Sequence, residues 1–505
     1  MKGLPRGRRR EARLVHPPRA VIDIGSNTVR LVIYEGPPRA PVQVWNEKLA
    51  ARLGRDLPST GRIPDEAMDE ALGSLARYAV LLEDLGVEDV QTVATAAARD
   101  AVNGAEFLAR VRALGLHPRL LSGEEEACAA AMGALGAFPG RSGLVLDLGG
   151  GSLECAQIAD GACRDAITLP LGTLRLPALR AKGKDRFATA IGKAADGHVA
   201  ADAAESWFMI GGTWRAFAAY AMAVLGYPLD DPHGFTIAGR DAMPLAKRAR
   251  DASRDELQAV PGISAMRSQY LADAAAMLRV LIKRYAPREL VFSSWGLREG
   301  LLMTRLSATQ FAADPLLESV AEFAQMLHAP VTHRALLAGW SAVVVDPDHA
   351  AGHPGDGRLR LAAAHLAAAL HRVEPNLRAT QAVQWALDKR WIDLDARGRA
   401  MIGAALLGSL GKTGGHDRVG TLAGDADLAE ATGWGLGFRL ARRVGAAGNV
   451  SMSNSRLLRE EGLLVLELAP SHRALGDYPV TKDLEALADY LGLTPTIRAG
   501  SKAVN

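Results

Sequence analysis

Two short stretches decide the fold predicted for this sequence: AVIDIGSNT at residues 20–28 and GLVLDLGGGS at residues 143–152. In each, an apolar run leads into an aspartate, a glycine turn and a hydroxyl-bearing residue, before a second apolar run begins. The apolar runs are typical of buried strands. The predicted strands are 20–24 and 29–34 in the first copy, and 143–148 and 153–158 in the second. The repetition predicts two homologous lobes that face each other, built from α/β layers.

The two glycine turns are suited to binding phosphate. Because glycine has no side chain, several backbone N–H groups can converge on one anion. Asp23 and Asp147, one in each stretch, can hold a magnesium ion or its waters beside that anion. The candidate phosphate donors are Asn27, Thr28, Gly149, Gly150, Gly151, Ser152 and Thr213. Either turn alone also fits an ordinary hairpin, and the polar residues fit turn or helix-cap chemistry, but two matching copies favour the phosphate site.

Further strand and helix signals divide the chain into four parts. Around the two turns we predict helices at 64–86 and 104–115, and strands at 91–95, 207–210 and 289–292. Beyond residue 310 the strand signals fade, and Ala-rich helical patterns dominate. The predicted helices there are 315–328, 333–344, 358–373, 378–390, 395–410, 427–445 and 482–491, with one strand at 462–468. The predicted parts are a basic, disordered tail at 1–19, lobes at 20–139 and 140–309, and a helical domain at 310–505.

Composition narrows the functional classes. The 505 residues are 49% hydrophobic and 23% charged, and the net charge of +3 is not that of a typical nucleic-acid-binding domain. The sequence has no uninterrupted run of 18 apolar residues and no apolar secretory segment, so we expect neither a membrane span nor export. Cys128, Cys155 and Cys163 are odd in number and contain no C-x-x-C, which argues against a disulfide framework or a zinc ribbon and favours a reducing cytoplasm.

Six segments occur in an order that resembles the exopolyphosphatase / guanosine pentaphosphate phosphatase family. They are AVIDIGSNTVRLVIY, TVATAAARDAVN, LSGEEEA, LVLDLGGGSLE, IGGTWRAFA and SSWGLREGLL. The resemblance covers about residues 20–305. It implies two actin-like α/β domains flanking a cleft, and magnesium-dependent removal of a terminal phosphate. It also implies a homodimer formed through a helical C-terminal domain similar to the HD phosphohydrolase fold.

The resemblance also implies roles for individual residues. Glu125, the first glutamate of Glu-Glu-Ala, would be the general base that activates water. Because Ser122 and Glu125 also have the spacing of a capping box, this glutamate has an alternative role as a helix cap. The resemblance gives Asp147 and Glu154 a magnesium or phosphate-site role, and with Asp23 of the first turn they are the predicted metal ligands; Glu154 also fits an ordinary surface strand position. The carried-over phosphate ligands are Arg30, Arg99 and Arg298. A guanidinium matches a pair of phosphate oxygens, although each arginine also fits a surface salt bridge.

The C-terminal region offers less chemistry. An HD metal site needs a His-Asp pair, and the corresponding Leu370-His371-Arg372 lacks the aspartate, so we expect no metal there. GKTGG at 411–415 lacks the first glycine of a P-loop. A set of basic residues is compatible with a polyanion track or with a solvated surface: Lys412, Arg418, Arg439, Arg442 and Arg443.

The leading functional prediction is an exopolyphosphatase that acts on inorganic polyphosphate. The same site chemistry fits hydrolysis of guanosine pentaphosphate to the tetraphosphate. A sugar or acetate kinase shares the fold, but the Glu-Glu-Ala match speaks against it. A non-catalytic sensor of an alarmone or polyphosphate is the alternative from another class, and the retained Glu125, Asp147 and Glu154 argue against it.

Overall fold

The structure, a computed structural model, describes residues 16–196, 205–345, 355–446 and 448–500. Its chain separates into two compact units. The first contains the residues up to Phe217 together with Thr236–Ala313, and the second contains Ala218–Phe235 together with the residues from Asp314 onward. Most of the predicted tail, residues 1–15, lies outside the described residues, whereas Arg19 already begins the first strand. Among the described helices, none has the length and apolar composition that crossing a bilayer requires.

The first unit is an α/β structure built on two mixed sheets. Its strands are β1 (Arg19–Ile24), β2 (Val29–Glu35), β3 (Val42–Leu49), β4 (Asp89–Ala94), β5 (Pro118–Leu120), β6 (Gly143–Leu148), β7 (Leu153–Ala159), β8 (Ala162–Leu169), β9 (Ser206–Ile210), β10 (Thr236–Ala238) and β11 (Glu289–Ser293). Its helices are α1 (Leu57–Thr60), α2 (Asp65–Asp84), α3 (Ala96–Asp100), α4 (Gly104–Ala113), α5 (Gly123–Ala137), α6 (Leu176–Arg180), α7 (Lys184–Ala195), α8 (Gly212–Leu225, which continues into the second unit), α9 (Gly239–Asp251), α10 (Arg254–Gln258), α11 (Ala265–Tyr285), α12 (Leu297–Met303) and α13 (Ala308–Ala312).

The two sheets repeat one topology. Their strand orders are β3-β2-β1-β4-β5 and β10-β11-β9-β6-β7-β8. In each, an antiparallel three-stranded meander continues into two parallel strands. The sequence repeat therefore extends beyond the two turns. The sequence did not predict β3 and β8, because most of their side chains are exposed or half-buried and form no apolar run.

Each glycine turn rests on the loop that follows its own meander. In the first copy Gly54 donates its backbone N–H to the carbonyl of Ser26, at 2.8 Å. In the second copy the backbone of Thr173 donates to the carbonyl of Gly149, at 3.0 Å. Gly172 approaches the second turn so closely that an added Cβ would lie 2.2 Å from the backbone of Gly151. Glycine at 172 is therefore needed for this contact between backbones.

Helices α5 and α12 also pack backbone to backbone. A Cβ added to Gly133 would lie 2.2 Å from the carbonyl oxygen of Gly296, and one added to Gly300 would lie 1.7 Å from that of Ala129. A side chain at either glycine would force the two helices apart. This contact fixes the position of α5, which carries the glutamates of the Glu-Glu-Ala segment.

The structure contradicts the prediction that the cysteines form no disulfide. Cys128 on α5 and Cys163 on β8 are bonded, with their Cα atoms 5.5 Å apart, and Cys155 is a buried free thiol. The odd count could not predict this bond, because pairing depends on which two residues the fold brings together.

The second unit is mostly helical, as predicted, but it also contains a small sheet. Its helices are Pro315–Met326, Val331–Trp340, Asp356–Leu370, Arg378–Val383, Ala396–Ser409, Asp417–Gly420, Asp425–Gly445, Asn449–Ser453 and Tyr478–Leu491, with shorter helical turns at Ala342–Val344, Gln384–Asp388 and Pro470–Gly476. The sheet contains Ser455–Glu460, Leu463–Leu468 and Thr494–Ala499 in that order. Only its central, most buried strand was predicted, since both edge strands have few buried side chains.

The predicted helix at 378–390 ends early. Its α-helical part stops at Val383, and a wider π turn follows. The buried guanidinium of Arg399 donates to the carbonyl oxygens of Ala386, Leu387 and Lys389 at 3.1, 3.3 and 2.7 Å. These bonds satisfy carbonyl groups that have no further helical turn to accept from.

Candidate active site

The two glycine turns meet at a cavity of about 210 Å³ in the first unit. A Cβ added to Gly150 of the second turn would lie 3.1 Å from the Cβ of Asn27 in the first turn. Most of the residues predicted for the site line this cavity: Asp23, Asn27, Thr28, Arg30, Asp147, Gly149, Gly150, Gly151, Ser152, Glu154, Thr213 and Arg298. The fold therefore brings together residues that are distributed over the whole of the first unit.

The first turn carries its aspartate in an ion pair. Oδ2 of Asp23 lies 3.1 Å from Nη1 of Arg298, and both side chains are 16% exposed. The turn itself is closed by a backbone hydrogen bond from Gly25 to Thr28, at 3.0 Å. Oδ1 of Asn27 is buried and accepts no hydrogen bond from the described residues. Because a buried acceptor without a donor is costly, it is suited to a ligand or an ordered water.

The second turn carries acids that lie close to one another. Partial burial raises the pKa of Asp147 to about 6, although Arg215 and Arg298 act in the opposite direction. Glu154 is only 2% exposed and accepts a hydrogen bond from Thr168 at 3.1 Å. Burial raises the pKa of Glu154 well above its ordinary value, and the charges of Glu126 and Asp147 raise it further. The second turn is therefore the acidic side of the cavity.

Glu126, rather than Glu125, reaches the cavity. Its side chain is 12% exposed, and its carboxylate lies 3.3 Å from Nη1 of Arg99. Burial raises the pKa of Glu126 to about 7; Arg99 lowers it, and Asp147 raises it further. A carboxyl group with such a pKa can accept a proton near neutral pH.

The position predicted for the general base therefore needs correction. Glu125 does not line the cavity that the described residues form. Its side chain is 49% exposed and ion-pairs with Arg119 at 3.3 Å. It completes a capping box with Ser122, whose N–H donates to Oε2 at 2.8 Å and whose hydroxyl accepts from the N–H of Glu125 at 3.1 Å. Because successive helical residues point in directions about 100° apart, only one of the two adjacent glutamates can face inward.

Arg99 is likewise outside the cavity lining of the described chain. Its Nη1 donates to the carbonyl of Leu121 at 3.1 Å and to Glu126 at 3.3 Å. Its Nε lies 3.4 Å from Asp100. In this structure Arg99 holds the carboxylate of Glu126 and does not line the place where a phosphate would bind.

The cavity is also lined by three cations that the sequence did not predict: Lys48, Arg215 and Arg267. Lys48 lies directly across from Arg30 in the register of β3 and β2, and like charges in such positions repel. Partial burial lowers the pKa of Arg215 to about 9, and Arg267, Arg298 and Arg30 lower it further. This arrangement favours a bound polyanion, which would relieve the repulsion. Arg215 lies within the IGGTWRAFA segment, so that segment could have identified it as a phosphate ligand. Lys48 lies in β3, a strand that the sequence did not predict.

The acidic side of the cavity fits a magnesium ion. Within the described ranges, no three His, Cys, Asp or Glu side chains are grouped closely enough to form a ready-made metal site. Magnesium nevertheless often binds through one or two carboxylates, with waters and substrate phosphates as its other ligands. Burial raises the pKa values of Asp147 and Glu154, and the charges of Glu126 and Asp147 raise that of Glu154 further; a bound cation would stabilise the charged carboxylates. Asp23 is less suited to this role, because Arg298 already neutralises it.

Comparison with known proteins is consistent with this geometry. The family model described as Ppx/GppA phosphatase matches residues 32–309. Exopolyphosphatase 1 of Mycobacterium tuberculosis is 32% identical over 160 residues, which are 31% of this chain and 46% of that protein. The chain thus spans about half the length of this relative. Exopolyphosphatase 2 of the same organism is 27% identical over 316 residues, which are 56% of this chain and 97% of that protein.

Solved structures show the same fold. The crystal structure of the Aquifex aeolicus member of the Ppx/GppA family matches with a TM-score of 0.50 and 25% identity, covering 57% of this chain and 97% of that one. An exopolyphosphatase from Cytophaga hutchinsonii matches with a TM-score of 0.50 and 23% identity over the same shares, which supports the fold alone. The first unit therefore has the actin-like fold predicted for it. The HD-like character of the second unit stays a prediction.

Proposed function

This chain belongs to the Ppx/GppA phosphatase family, and from that membership we propose that it hydrolyses the terminal phosphoanhydride bond of inorganic polyphosphate. The observation that carries the proposal is the placement of Glu126. Its carboxyl group lines a cavity formed by two glycine turns and has a pKa raised to about 7. It is thus a base with suitable proton affinity beside a phosphate-sized space.

In the proposed reaction, Glu126 accepts a proton from water as the water oxygen attacks the terminal phosphorus. The new P–O bond forms while the bond from that phosphorus to the bridging oxygen breaks. The bridging oxygen leaves with the electron pair on the shortened chain, so that the products are orthophosphate and a polyphosphate one unit shorter. Arg99 orients the base through its 3.3 Å contact with Glu126.

The remaining cavity residues bind and orient the substrate. Backbone N–H groups of the turn at 149–151 and the hydroxyl of Ser152 would hold the terminal phosphate. The cations Arg30, Lys48, Arg215 and Arg267 would neutralise the phosphates behind it. Asp147 and Glu154 would hold a magnesium ion, which when bound withdraws charge from phosphate oxygens.

The first test is phosphate release from long-chain polyphosphate with magnesium, comparing the wild type with Glu126→Gln and Glu125→Gln. We expect Glu126→Gln to lose about 10²–10⁴-fold in kcat, the usual contribution of a general base. Glu125→Gln is the matched control, because it keeps a capping acceptor on the neighbouring, outward-facing residue. Its kcat should change less than about twofold.

Three outcomes would contradict parts of the proposal. If Glu126→Gln and Glu125→Gln lost the same factor in kcat, Glu126 would not be the general base. Faster turnover of guanosine pentaphosphate than of polyphosphate would identify the other substrate of the family. Tight binding of either compound without phosphate release from the wild type would favour a sensor.

A further inference from the structure

The first unit contains a second cavity, which is larger than the cavity at the glycine turns. It is an open groove of about 1150 Å³ between helices α7 and α11, with further lining from the ends of α6 and α9. Among the described residues, none lines both cavities. We call this second cavity the α7–α11 groove.

The groove is formed by one face of α11 and by small residues of α7. The α11 residues recur at intervals of three and four, which places them on one side of the helix; they are Ala276, Arg279, Val280, Lys283 and Arg284. Helix α7 contributes Ala188 and Gly192. A Cβ added to Gly192 would lie 3.9 Å from Nη1 of Arg284. The small side chains of α7 therefore leave a space that the long cations of α11 border.

Positive charge is concentrated in this groove. Seven Lys or Arg side chains and three Asp side chains line it. The excess of four positive charges is greater than the net charge of +3 of the whole 505-residue chain. The rest of the sequence is therefore nearly neutral.

Ion pairs neutralise only part of this charge. Three of the lining cations have an aspartate partner: Arg180, Arg250 and Arg284. Four others have no acid within ion-pair distance among the described residues: Lys184, Lys193, Arg279 and Lys283. Asp185 is the one lining acid that also has no partner in that part of the chain. Because a cleft lined by one sign of charge attracts the opposite sign, the groove is suited to a polyanion.

Helix dipoles explain some of these cations but not all of them. Lys193 and Lys283 lie in the last turns of α7 and α11, where a cation interacts favourably with the helix dipole. Lys184 is the first residue of α7, where the dipole disfavours a cation. Arg279 lies within α11, away from either end. These two positions therefore need another explanation.

Arg279 also has an unsatisfied donor. Its side chain is half-buried, and its Nε is buried without a hydrogen-bond partner among the described residues. Other arginines of the structure share this feature, so it supports a ligand site only together with the charge excess. Lys283 lies one helical turn further along the same face, and an oxyanion in the groove would accept from both side chains.

The lining favours polyphosphate over other polyanions. Sites for single-stranded nucleic acid stack the bases on aromatic rings. Phe187 is the only aromatic residue among the described lining residues, and at 4% exposure it presents no free ring face. A polymer of phosphate units needs only a series of cations.

We propose that the α7–α11 groove is a second binding site for inorganic polyphosphate, which holds a distant part of the chain whose end occupies the cavity at the glycine turns. Arg267 lines that cavity and Arg279 lines the groove. These residues are twelve positions apart on α11, or about 18 Å along the helix, so only a long chain can occupy both sites. Once the chain end is bound, contact with the groove is intramolecular and raises the overall affinity. The choice of polyphosphate rests on the proposed function.

The first test is calorimetric titration of long-chain polyphosphate into the full-length protein without magnesium, in a Glu126→Gln background that keeps the chain intact. We expect Arg279→Gln combined with Lys283→Gln to raise the Kd at least about fivefold, the effect of losing two partly exposed ionic contacts. If this double variant is poorly folded, Lys184→Gln combined with Lys193→Gln removes two exposed charges of the same groove and should give the same shift.

The matched control is Arg186→Gln combined with Arg240→Gln. These arginines lie on α7 and α9, are exposed and line neither cavity. The control therefore removes the same charge from the first unit. Its Kd should change less than about twofold, because salt screens exposed charges that lie away from the ligand.

The second test is steady-state hydrolysis with magnesium by the groove variant in the otherwise wild-type enzyme. Losing a contact that is equally strong in the ground state and the transition state raises KM and leaves kcat unchanged. We expect KM for long-chain polyphosphate to rise about fivefold. KM for tripolyphosphate should stay within about twofold, because this substrate is too short to reach the groove.

Three results would overturn the proposal. Equal increases of Kd in the groove variant and the control would reduce the effect to general charge. An equal increase of KM for tripolyphosphate would place the effect at the glycine turns. If oligodeoxythymidine bound more tightly than polyphosphate and lost the same affinity in the groove variant, the groove would be a nucleic-acid site.

The groove and the proposed function fail separately. Groove-dependent binding of polyphosphate by a wild-type protein that releases no phosphate would support the groove and contradict the hydrolysis. Phosphate release with no change of Kd or KM in the groove variant would support the hydrolysis and contradict the groove.

Discussion

The first glycine turn and the second share a backbone arrangement but differ in the charges around them. At the first, Arg298 neutralises Asp23, and the neighbouring strands present Arg30 and Lys48. At the second, Asp147 lies beside two further acids, and its pKa is raised to about 6. The two turns therefore have the same backbone arrangement but different surroundings. Cations surround the first turn, whereas acids surround the second.

The largest expected effect is at the aspartates of the two turns. Asp147→Asn removes a proposed magnesium ligand and should lower kcat by roughly 10²–10³-fold, because such an ion contributes several kcal/mol to stabilising charge in the transition state. Asp23→Asn removes only the partner of Arg298 and should cost about tenfold. Rates of phosphate release at several magnesium concentrations measure both. If Asp23→Asn caused the larger loss and the larger demand for magnesium, the acidic role would belong to the first turn.

A smaller effect is expected from the glycines that support the turns. Gly172→Ala places a Cβ 2.2 Å from the backbone of Gly151, and the resulting displacement of the second turn should lower kcat by about 10–10²-fold. Gly54→Ala places its Cβ 2.9 Å from a side-chain atom, Cβ of Ser26, and should cost a few-fold. The measurement is kcat, with circular dichroism as the control for folding. Equal losses would mean that both turns are equally sensitive to displacement.

The activity is expected to depend on pH through Glu126, which lies on the acidic side of the cavity. Burial raises the pKa of Glu126 to about 7, and a general base must be deprotonated to act. The value of kcat/KM should therefore fall up to about tenfold for each pH unit below 7. Since Arg99 lowers the pKa of Glu126, Arg99→Gln should move this limb of the profile to higher pH. A profile that is flat from pH 5 to 8 in the wild type would contradict the assignment.

The smallest effect is expected at Glu125. Glu125→Ala removes the side-chain half of the capping box and should lower the free energy of unfolding by about 0.5–1 kcal/mol. Its kcat should stay within about twofold of the wild type, because the residue faces away from the cavity. Urea denaturation and phosphate release measure the two quantities. A variant with full stability and lost activity would reverse the roles of the two glutamates.

The sequence predicted the parts of the fold that depend on local pattern. The strands β1, β2, β6 and β7 were predicted from apolar runs, and the structure confirms them. The strands β3 and β8 were missed because their pairing depends on neighbours that exist only in the folded chain. The same reason explains the disulfide between Cys128 and Cys163, which the cysteine count argued against.

The candidate site was predicted to a similar extent. The turn residues and the acids of the second turn line one cavity, as their repetition suggested. The choice between Glu125 and Glu126 could not be made from the segment alone, because it depends on how α5 is rotated against its neighbours. Lys48 and Arg267 reach the cavity from elements whose sequences carry no phosphate-binding motif.

The close packing of α5 on α12 has a mechanical consequence. Because Gly133 and Gly300 leave no room for sliding, the two helices form one stiff lever. Glu126 lies near the start of α5, and Arg298, which forms an ion pair with Asp23, lies on α12. A movement of α5 that shifts the carboxylate of Glu126 must therefore also shift the guanidinium of Arg298. The position of the proposed base is thus coupled to the ion pair between Arg298 and Asp23.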